Sequence, residues 1–429
     1  MSPALDRRTL LSALGALATT ADAPQHTAAD LAPVLNPTGG PPMASAGLIA
    51  RRGDGSLVIR AAEGAAGARP FSLDAPFRVA SVSKMVAASA FLPLAMRTGL
   101  DLDGDASDLL GFRLRHPVHP DVPITPRMLL SHVSGLRNGP SYPVPLGHKL
   151  SEAFLPGGRH YDGGAWFGPA EHRPGDWFAY ADVNFALVAQ ILERRANQRL
   201  DLFMRRELFA PLGLDVGYNW SGVSQAKRAL AVPGVHLEAG AWTPQIDGEV
   251  LPAPRIAFTR APESQTLDAA DYRIGDNGFA FSPQGGLRLS LSDMDVLARL
   301  YAAGGRWEGR QVIPRAALEA MQAPAWRFDP APPNGEVGNG LVQGYGLGCE
   351  TPLGRPGPAG DRFFGADTAD WRGHFGDAYG WITGLFWNRR DGRTLVYALN
   401  GMPEANRPPA RGSSLTAPEE TLLRLVFAA

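Results

Sequence analysis

Ser81-Val82-Ser83-Lys84 is the stretch on which the reading of this 429-residue chain turns. Of the 41 basic residues only three are lysines: Lys84, Lys149 and Lys227. In so arginine-biased a chain, a lysine three residues after a serine marks a place where guanidinium would not serve. A desolvated lysine can give up its proton near neutral pH, and arginine cannot. A serine hydroxyl needs a base to become a nucleophile, and an amine one helical turn away is such a base. Pro76-Phe77-Arg78-Val79-Ala80 leads into the serine, and an apolar, alanine-rich run from Met85 to Met96 follows, ending at Gly99. The pattern predicts a helix beginning near Ser81, kinked or interrupted at Pro93 and closed by Gly99. Ser81 and Lys84 then share a face, with the serine at the positive end of the helix dipole. The competing reading makes Ser81 an N-cap and nothing more.

Outside this stretch the composition is that of a large enzyme. Hydrophobic residues make up 45% and charged residues 19%, with a net charge of −1, which gives no electrostatic footprint for nucleic acid. The single cysteine, Cys349, excludes an internal disulfide. At the N-terminus, Asp6-Arg7-Arg8-Thr9-Leu10-Leu11 and the apolar run to Ala18 resemble a twin-arginine export signal. Residues 1–23 are therefore read as a signal, residues 24–42 as a Pro- and Gly-rich leader, and the protein as periplasmic or secreted. No stretch is long enough to span a bilayer as a helix.

Ala46 to Arg52 and Ser56 to Ala62 read as strands joined by Gly53-Asp54-Gly55. Thr125 and Pro126 open a helix, and Tyr180 to Asn197 and Leu200 to Leu212 have helical spacing. Ser292 to Gly304 and Pro314 to Gln322 read as helices, Trp381 to Trp387 and Thr394 to Asn400 as strands, and Pro418 to Phe427 as a closing helix. The order implies one α/β domain formed by residues 43–112 and 265–429. A mainly helical insertion covers 113–264.

Further stretches resemble one superfamily, the serine β-lactamase-related hydrolases. Its members include class C β-lactamases, D-alanyl-D-alanine carboxypeptidases, D-aminopeptidases and family VIII esterases. Leu129-Leu130-Ser131-His132-Val133-Ser134-Gly135-Leu136, the segment Pro174 to Asp182, Pro211-Leu212-Gly213-Leu214, Gly285-Gly286-Leu287 and Gly373-His374-Phe375-Gly376 occur in the family's order. The resemblance implies an antiparallel sheet flanked by helices, with Ser81 acylated and Lys84 its proton partner. Tyr180 would act as base and proton shuttle, its phenol acidified by Lys84. His374 stands where many relatives have lysine and would orient substrate or tune Tyr180. The backbone N–H groups of Ser81 and Asp377 would form the oxyanion hole, with Gly376 permitting close approach of substrate. Taken singly, Tyr180 and His374 also read as core residues. His132 and Ser134 are expected to be structural, and His116 and His119, lying among prolines, give no metal site. No cofactor is implied, and G-x-S-x-G is absent from the sequence.

The chain departs from the pattern at Asp182, where asparagine is usual. A carboxylate there accepts hydrogen bonds and cannot donate them. It would pair with Lys84 and keep it protonated, leaving Asn184 to supply the missing amide if geometry allowed. With Asp377 as a second acid, the site disfavours substrates bearing carboxylates. The expected activity is therefore that of a carboxylesterase on neutral esters. The alternatives are a D-aminopeptidase or other amidase whose acids receive the substrate amine, a DD-carboxypeptidase, weak β-lactamase activity, an acyltransferase, and a penicillin sensor that acylates without turnover.

Overall fold

A computed structural model describes residues 26–38, 40–246, 271–403 and 407–427. The export-signal segment lies outside them. The core is a five-stranded sheet of β1 (Ser45–Arg51), β2 (Leu57–Gly64), β3 (Trp371–Ala378), β4 (Trp381–Asn388) and β5 (Thr394–Asn400). Its order is β3-β4-β5-β1-β2, and every pairing is antiparallel. The β1–β2 turn forms where glycines permit it, with Gly55 at φ 86° and the Asp54 side chain accepting from the Ser56 N–H at 2.9 Å. β3 and β4 are joined by Tyr379-Gly380, both at positive φ, the two-residue turn that matches strand twist.

Alternation along the strands splits the core in two. Trp381, Leu385, Trp387, Val396, Ala398 and Ile49 face the layer containing α1 (Val82–Thr98), α2 (Val183–Ala196), α3 (Leu291–Ala302) and α4 (Arg315–Gln322). Phe375, Ile382, Phe386, Leu395, Tyr397 and Leu48 face the opposite layer, closed by α5 (Ala417–Leu423). The segment read as a leader also contributes to that second layer. Ala28 to Leu35 forms a helical turn whose Leu31 and Val34 are fully buried, and the Met43 N–H returns to the Leu35 carbonyl. Leu31, Val34 and Leu35, at spacing i, i+3, i+4, share one buried face that outweighs the flanking prolines and glycines.

α1 runs unbroken through Pro93 and ends where Gly99 adopts φ 62°. Residues 113–246 are less helical than their composition predicts. Leu200 to Leu212 is a helix of three pieces, with a wide turn at Arg205–Phe209 and a tight one at Ala210–Leu212. Much of 131–182 is irregular. Gly217–Tyr218 pairs with Leu287–Leu289, and Gly234–Glu238 forms a hairpin with Ala241–Ile246. That hairpin is tied to β5 by the Asn400 side chain accepting from the Val235 N–H. No helix among the described residues is long and apolar enough to cross a membrane.

Candidate active site

The chain reaches Ser81 through a short strand, Phe77–Arg78, paired with Leu287–Leu289. Thr383 of β4 donates to the Val79 carbonyl at 2.9 Å, and Ala80 is held at φ 47°. A left-handed alanine costs on the order of 1 kcal/mol or more, so the surrounding contacts must enforce it. The effect is a sharp turn that sets Ser81 at the mouth of α1. Its side chain makes no capping bond, which removes the N-cap reading. Its Oγ instead accepts from Lys84 Nζ at 2.9 Å.

Lys84 is wholly buried. Its ammonium reaches Ser81 Oγ, the Gln284 carbonyl at 2.8 Å and Asp182 Oδ1 at 2.7 Å. Three acceptors match the three N–H bonds of a charged lysine. Burial pulls the lysine pKa down, but the Asp182 carboxylate and Tyr180 more than offset it, and the net shift is upward. The pairing expected from Asp182 is thus present, and Lys84 rests as an ammonium. The second Asp182 oxygen accepts from the Tyr142 hydroxyl at 2.8 Å, and Gln284 Nε2 donates to that hydroxyl at 3.3 Å. Lys84, Asp182, Tyr142 and Gln284 therefore close a ring of hydrogen bonds beside the nucleophile.

Tyr180 lines the cleft, with its hydroxyl within hydrogen-bonding reach of Lys84 and Ser81. One ring face stacks on His132 at 4.3 Å between centroids, and Lys84 Nζ lies 4.8 Å from the ring centroid. Burial of its hydroxyl raises the phenol pKa above the usual tyrosine value; Lys84 opposes this and Asp182 adds to it. The acidified phenol expected from sequence is corrected here, because burial of the hydroxyl, with a further contribution from Asp182, outweighs the acidifying charge of Lys84. His132 is buried, and its Nδ1 accepts from the Ala181 N–H and from Asn184 Nδ2. Asn184 Oδ1 accepts from Ser134 at 2.6 Å. Asn184 is therefore spent on the loop beneath Tyr180 and does not replace the missing motif amide.

His374 lies on β3, 1% exposed, with Nε2 against the Tyr345 hydroxyl at 2.8 Å and Nδ1 against the Phe375 carbonyl. Glu350 Oε1 is 3.3 Å from Nδ1 and also accepts from the Phe375 N–H at 3.1 Å. Burial, aided by the Lys84 charge, lowers the His374 pKa to about 3, and burial raises that of Glu350 to about 8. His374 is neutral and engaged behind Tyr180. It carries no positive charge, and its ring nitrogens face Tyr345, the Phe375 carbonyl and Glu350.

β3 is the sheet edge nearest Ser81. The Phe375 N–H points off that edge toward Glu350, as does the Gly373 N–H, which donates to the Glu350 carbonyl. Alternation puts the N–H of Asp377, the residue expected to complete the oxyanion hole, on the same unpaired edge. The same alternation sends the Asp377 side chain to the opposite face from His374. There it is clamped by both terminal nitrogens of Arg407. Asp377 is thus not a second acid in the cleft. Gly376 admits no side chain: a Cβ would sit 2.4 Å from the Val79 carbonyl and 2.3 Å from Thr383 Oγ1. We expect Gly376→Ala to force β3 away from Ala80 and Ser81, costing about 1–3 kcal/mol of stability. It should also lower kcat more than it raises KM. Denaturant melts and initial rates check this, and a variant with wild-type kcat would separate Gly376 from the oxyanion geometry.

The described site residues that sequence reasoning missed are Tyr142, Gln284, Tyr345 and Glu350. Gln284 adjoins the recognised Gly285-Gly286-Leu287, which was the one available signal. His116 and His119 turn to loop carbonyls, at Gly168 and Ala170 respectively.

The sequence matches the Beta-lactamase family over residues 41–415. The chain belongs to the beta-lactamase family. Members of this family are serine hydrolases, and the Ser81, Lys84 and Tyr180 constellation sits in the corresponding fold. Among solved structures, the chain is similar to a D-amino acid amidase from Ochrobactrum anthropi SV3. That match has 16% identity and TM-score 0.58, covering 92% of this chain and 96% of that one. It is similar to a D-stereospecific amidohydrolase from Streptomyces sp., with 18% identity, TM-score 0.52 and coverage of 87% and 94%. It is also similar to an octameric penicillin-binding protein homologue from Pyrococcus abyssi, with 17% identity, TM-score 0.55 and coverage of 83% and 70%. At such identities these likenesses establish the shared beta-lactamase fold. No curated protein matches the chain.

Proposed function

We propose that this serine hydrolase is a carboxylesterase acting on small neutral esters through an acyl-Ser81 intermediate. The observation that carries the reading is the occupancy of Asp182, whose two oxygens are taken by Lys84 and Tyr142. A substrate ammonium finds no free carboxylate in Asp182, and Asp377 is held by Arg407. An acyl amide finds an acceptor where relatives offer a donor. A substrate carboxylate finds a neutral histidine in place of a cation. An ester needs none of these contacts.

In the proposed reaction Ser81 Oγ attacks the ester carbonyl carbon, and its proton passes to the Tyr180 phenolate. The carbonyl oxygen takes up the negative charge between the Ser81 and Asp377 N–H groups. Tyr180 then protonates the departing alkoxide, the C–O bond breaks, and alcohol leaves. Water repeats the sequence on the acyl-enzyme and releases the acid. Since the Tyr180 phenol is raised in the resting site, activity should climb with pH into the alkaline range.

Asp182→Asn tests the charge argument directly. Asp182 raises the pKa of both Tyr180 and Lys84, so its neutral replacement lowers both, and the rise of kcat/KM with pH should move to lower pH. An uncompensated Lys84 charge should also improve anionic substrates relative to neutral esters by about tenfold, a modest figure because Asp182 is partly water-exposed. A pH profile that stays put or moves upward would show that Asp182 does not set the proton inventory. The reading as a whole is tested with p-nitrophenyl esters, D-amino-acid amides and a chromogenic cephalosporin, with intact mass reporting acyl-Ser81. Faster turnover of the amides would overturn it, and a stable adduct without turnover would make the protein a sensor.

A further inference from the structure

We infer that His148, Glu152 and His160 form a binding site for one divalent transition-metal ion of the zinc class, remote in role from the acyl chemistry. Sequence analysis weighed only His116 and His119 and expected no metal site. The fold brings together a different set. One nitrogen from each of His148 and His160 and a carboxylate oxygen of Glu152 all lie within 4.8 Å of one another. His148 Nδ1 and His160 Nε2 face each other at 2.7 Å. Two imidazole nitrogens and one carboxylate are the donor set suited to zinc, with a fourth position left to water.

The frame holding these groups is built before any ion arrives. Asn277 Nδ2 donates to the His148 carbonyl at 3.1 Å, and the Leu150 N–H donates to the Asp276 carbonyl at 2.8 Å. The Glu152 carbonyl accepts from the His160 N–H at 3.2 Å, and Trp166 Nε1 donates to the His160 carbonyl at 2.7 Å. Glu152 Oε1 accepts from the Lys149 N–H at 3.1 Å, which turns Oε2 toward Arg159 at 3.7 Å. Arg159 also lies 3.1 Å from His148 Nε2. That guanidinium is 66% exposed and is free to swing into solvent when a cation enters. With metal–nitrogen bonds of about 2.0–2.1 Å, tetrahedral ligands stand roughly 3.3 Å apart. The two rings therefore need to part by only about half an ångström from their present contact.

The site closes a link between residues 148 and 160 in the segment that begins at Tyr142. Asn277 also grips the Val144 and Pro145 carbonyls, so the ion would stiffen the chain that delivers the Tyr142 hydroxyl to Asp182. This inference does not depend on which ester or amide is hydrolysed.

The test uses the full-length protein freed of metal with a chelator. Titration with zinc chloride by calorimetry should show one ion per chain at micromolar affinity or tighter. The thermal midpoint should rise by several degrees with zinc and fall back with chelator. The His148→Ala/His160→Ala double variant should lose both effects. Equal zinc uptake and equal thermal shift in wild type and double variant would overturn the site. Should the double variant fail to fold, cobalt(II) added to wild type decides the matter. Intense visible bands of a four-coordinate ion support the site, and the weak spectrum of the hydrated ion refutes it.

Discussion

Ser81→Ala is expected to abolish turnover and acyl-enzyme formation while leaving the fold intact. Loss of the nucleophile in an unrelated serine hydrolase lowers kcat by about 10⁶-fold, and a drop of that order is anticipated here. The fold should survive because the Ser81 side chain caps no helix, and its removal leaves Lys84 with the Gln284 carbonyl and Asp182. Intact-mass analysis after a fluorophosphonate or an activated ester provides the measurement, with thermal melting as the control. Ser83 is the nearest competitor in sequence, but it is fully buried and its Oγ accepts from the Leu287 N–H at 3.0 Å. A covalent adduct on any serine of the Ser81→Ala protein would sink the assignment.

Lys84→Arg is expected to cost at least about 10²-fold in kcat/KM, the range for acid–base catalysis lost when the group that positions Ser81 beside Tyr180 is displaced. The substitution keeps the charge but spreads it over a rigid plane that cannot give three tetrahedral bonds to Ser81, Gln284 and Asp182. The pocket leaves no room for adjustment, since Lys84 is wholly buried. The loss should persist across the pH range, because guanidinium does not titrate there, and raising the pH should not rescue it. Near-normal rates in the variant would show that Lys84 contributes positive charge alone. Partial rescue at high pH would show that the lost contribution is electrostatic support of Tyr180 rather than the positioning of Ser81 and Asp182.

Much of the fold was legible because its signals are local. The hairpin around Gly53-Asp54-Gly55, the helix ending at Gly99 and the β4 and β5 strands each announce themselves within a dozen residues. Ser81, Lys84 and Tyr180 were legible through spacing within short motifs. The ring around Lys84 was not, because its parts converge from far apart. Gln284 lies 200 positions from Lys84, and Tyr142 sits in an irregular stretch without periodicity. The pKa of Tyr180 was misjudged for the same reason: a motif gives the cation beside the phenol but not the balance between burial, Lys84 and Asp182. Asp377 was assigned to the cleft although period-two alternation from His374 sends its side chain to the other face. The Leu31, Val34 and Leu35 turn was hidden by the prolines and glycines around it.

The free margin of β3 is short. Glu350 bridges Gly373 through its backbone, with its N–H donating to the Gly373 carbonyl at 2.7 Å, and its carboxylate takes the next outward amide, at Phe375. The outward amides of Gly373 and Phe375 are therefore consumed within the protein, which leaves the Asp377 end next to Ser81. A polypeptide laid along this margin as an extra strand would find its ladder already filled one residue beyond the reacting carbonyl. The ladder open to an added strand on this margin is thus shortened to the single amide of Asp377.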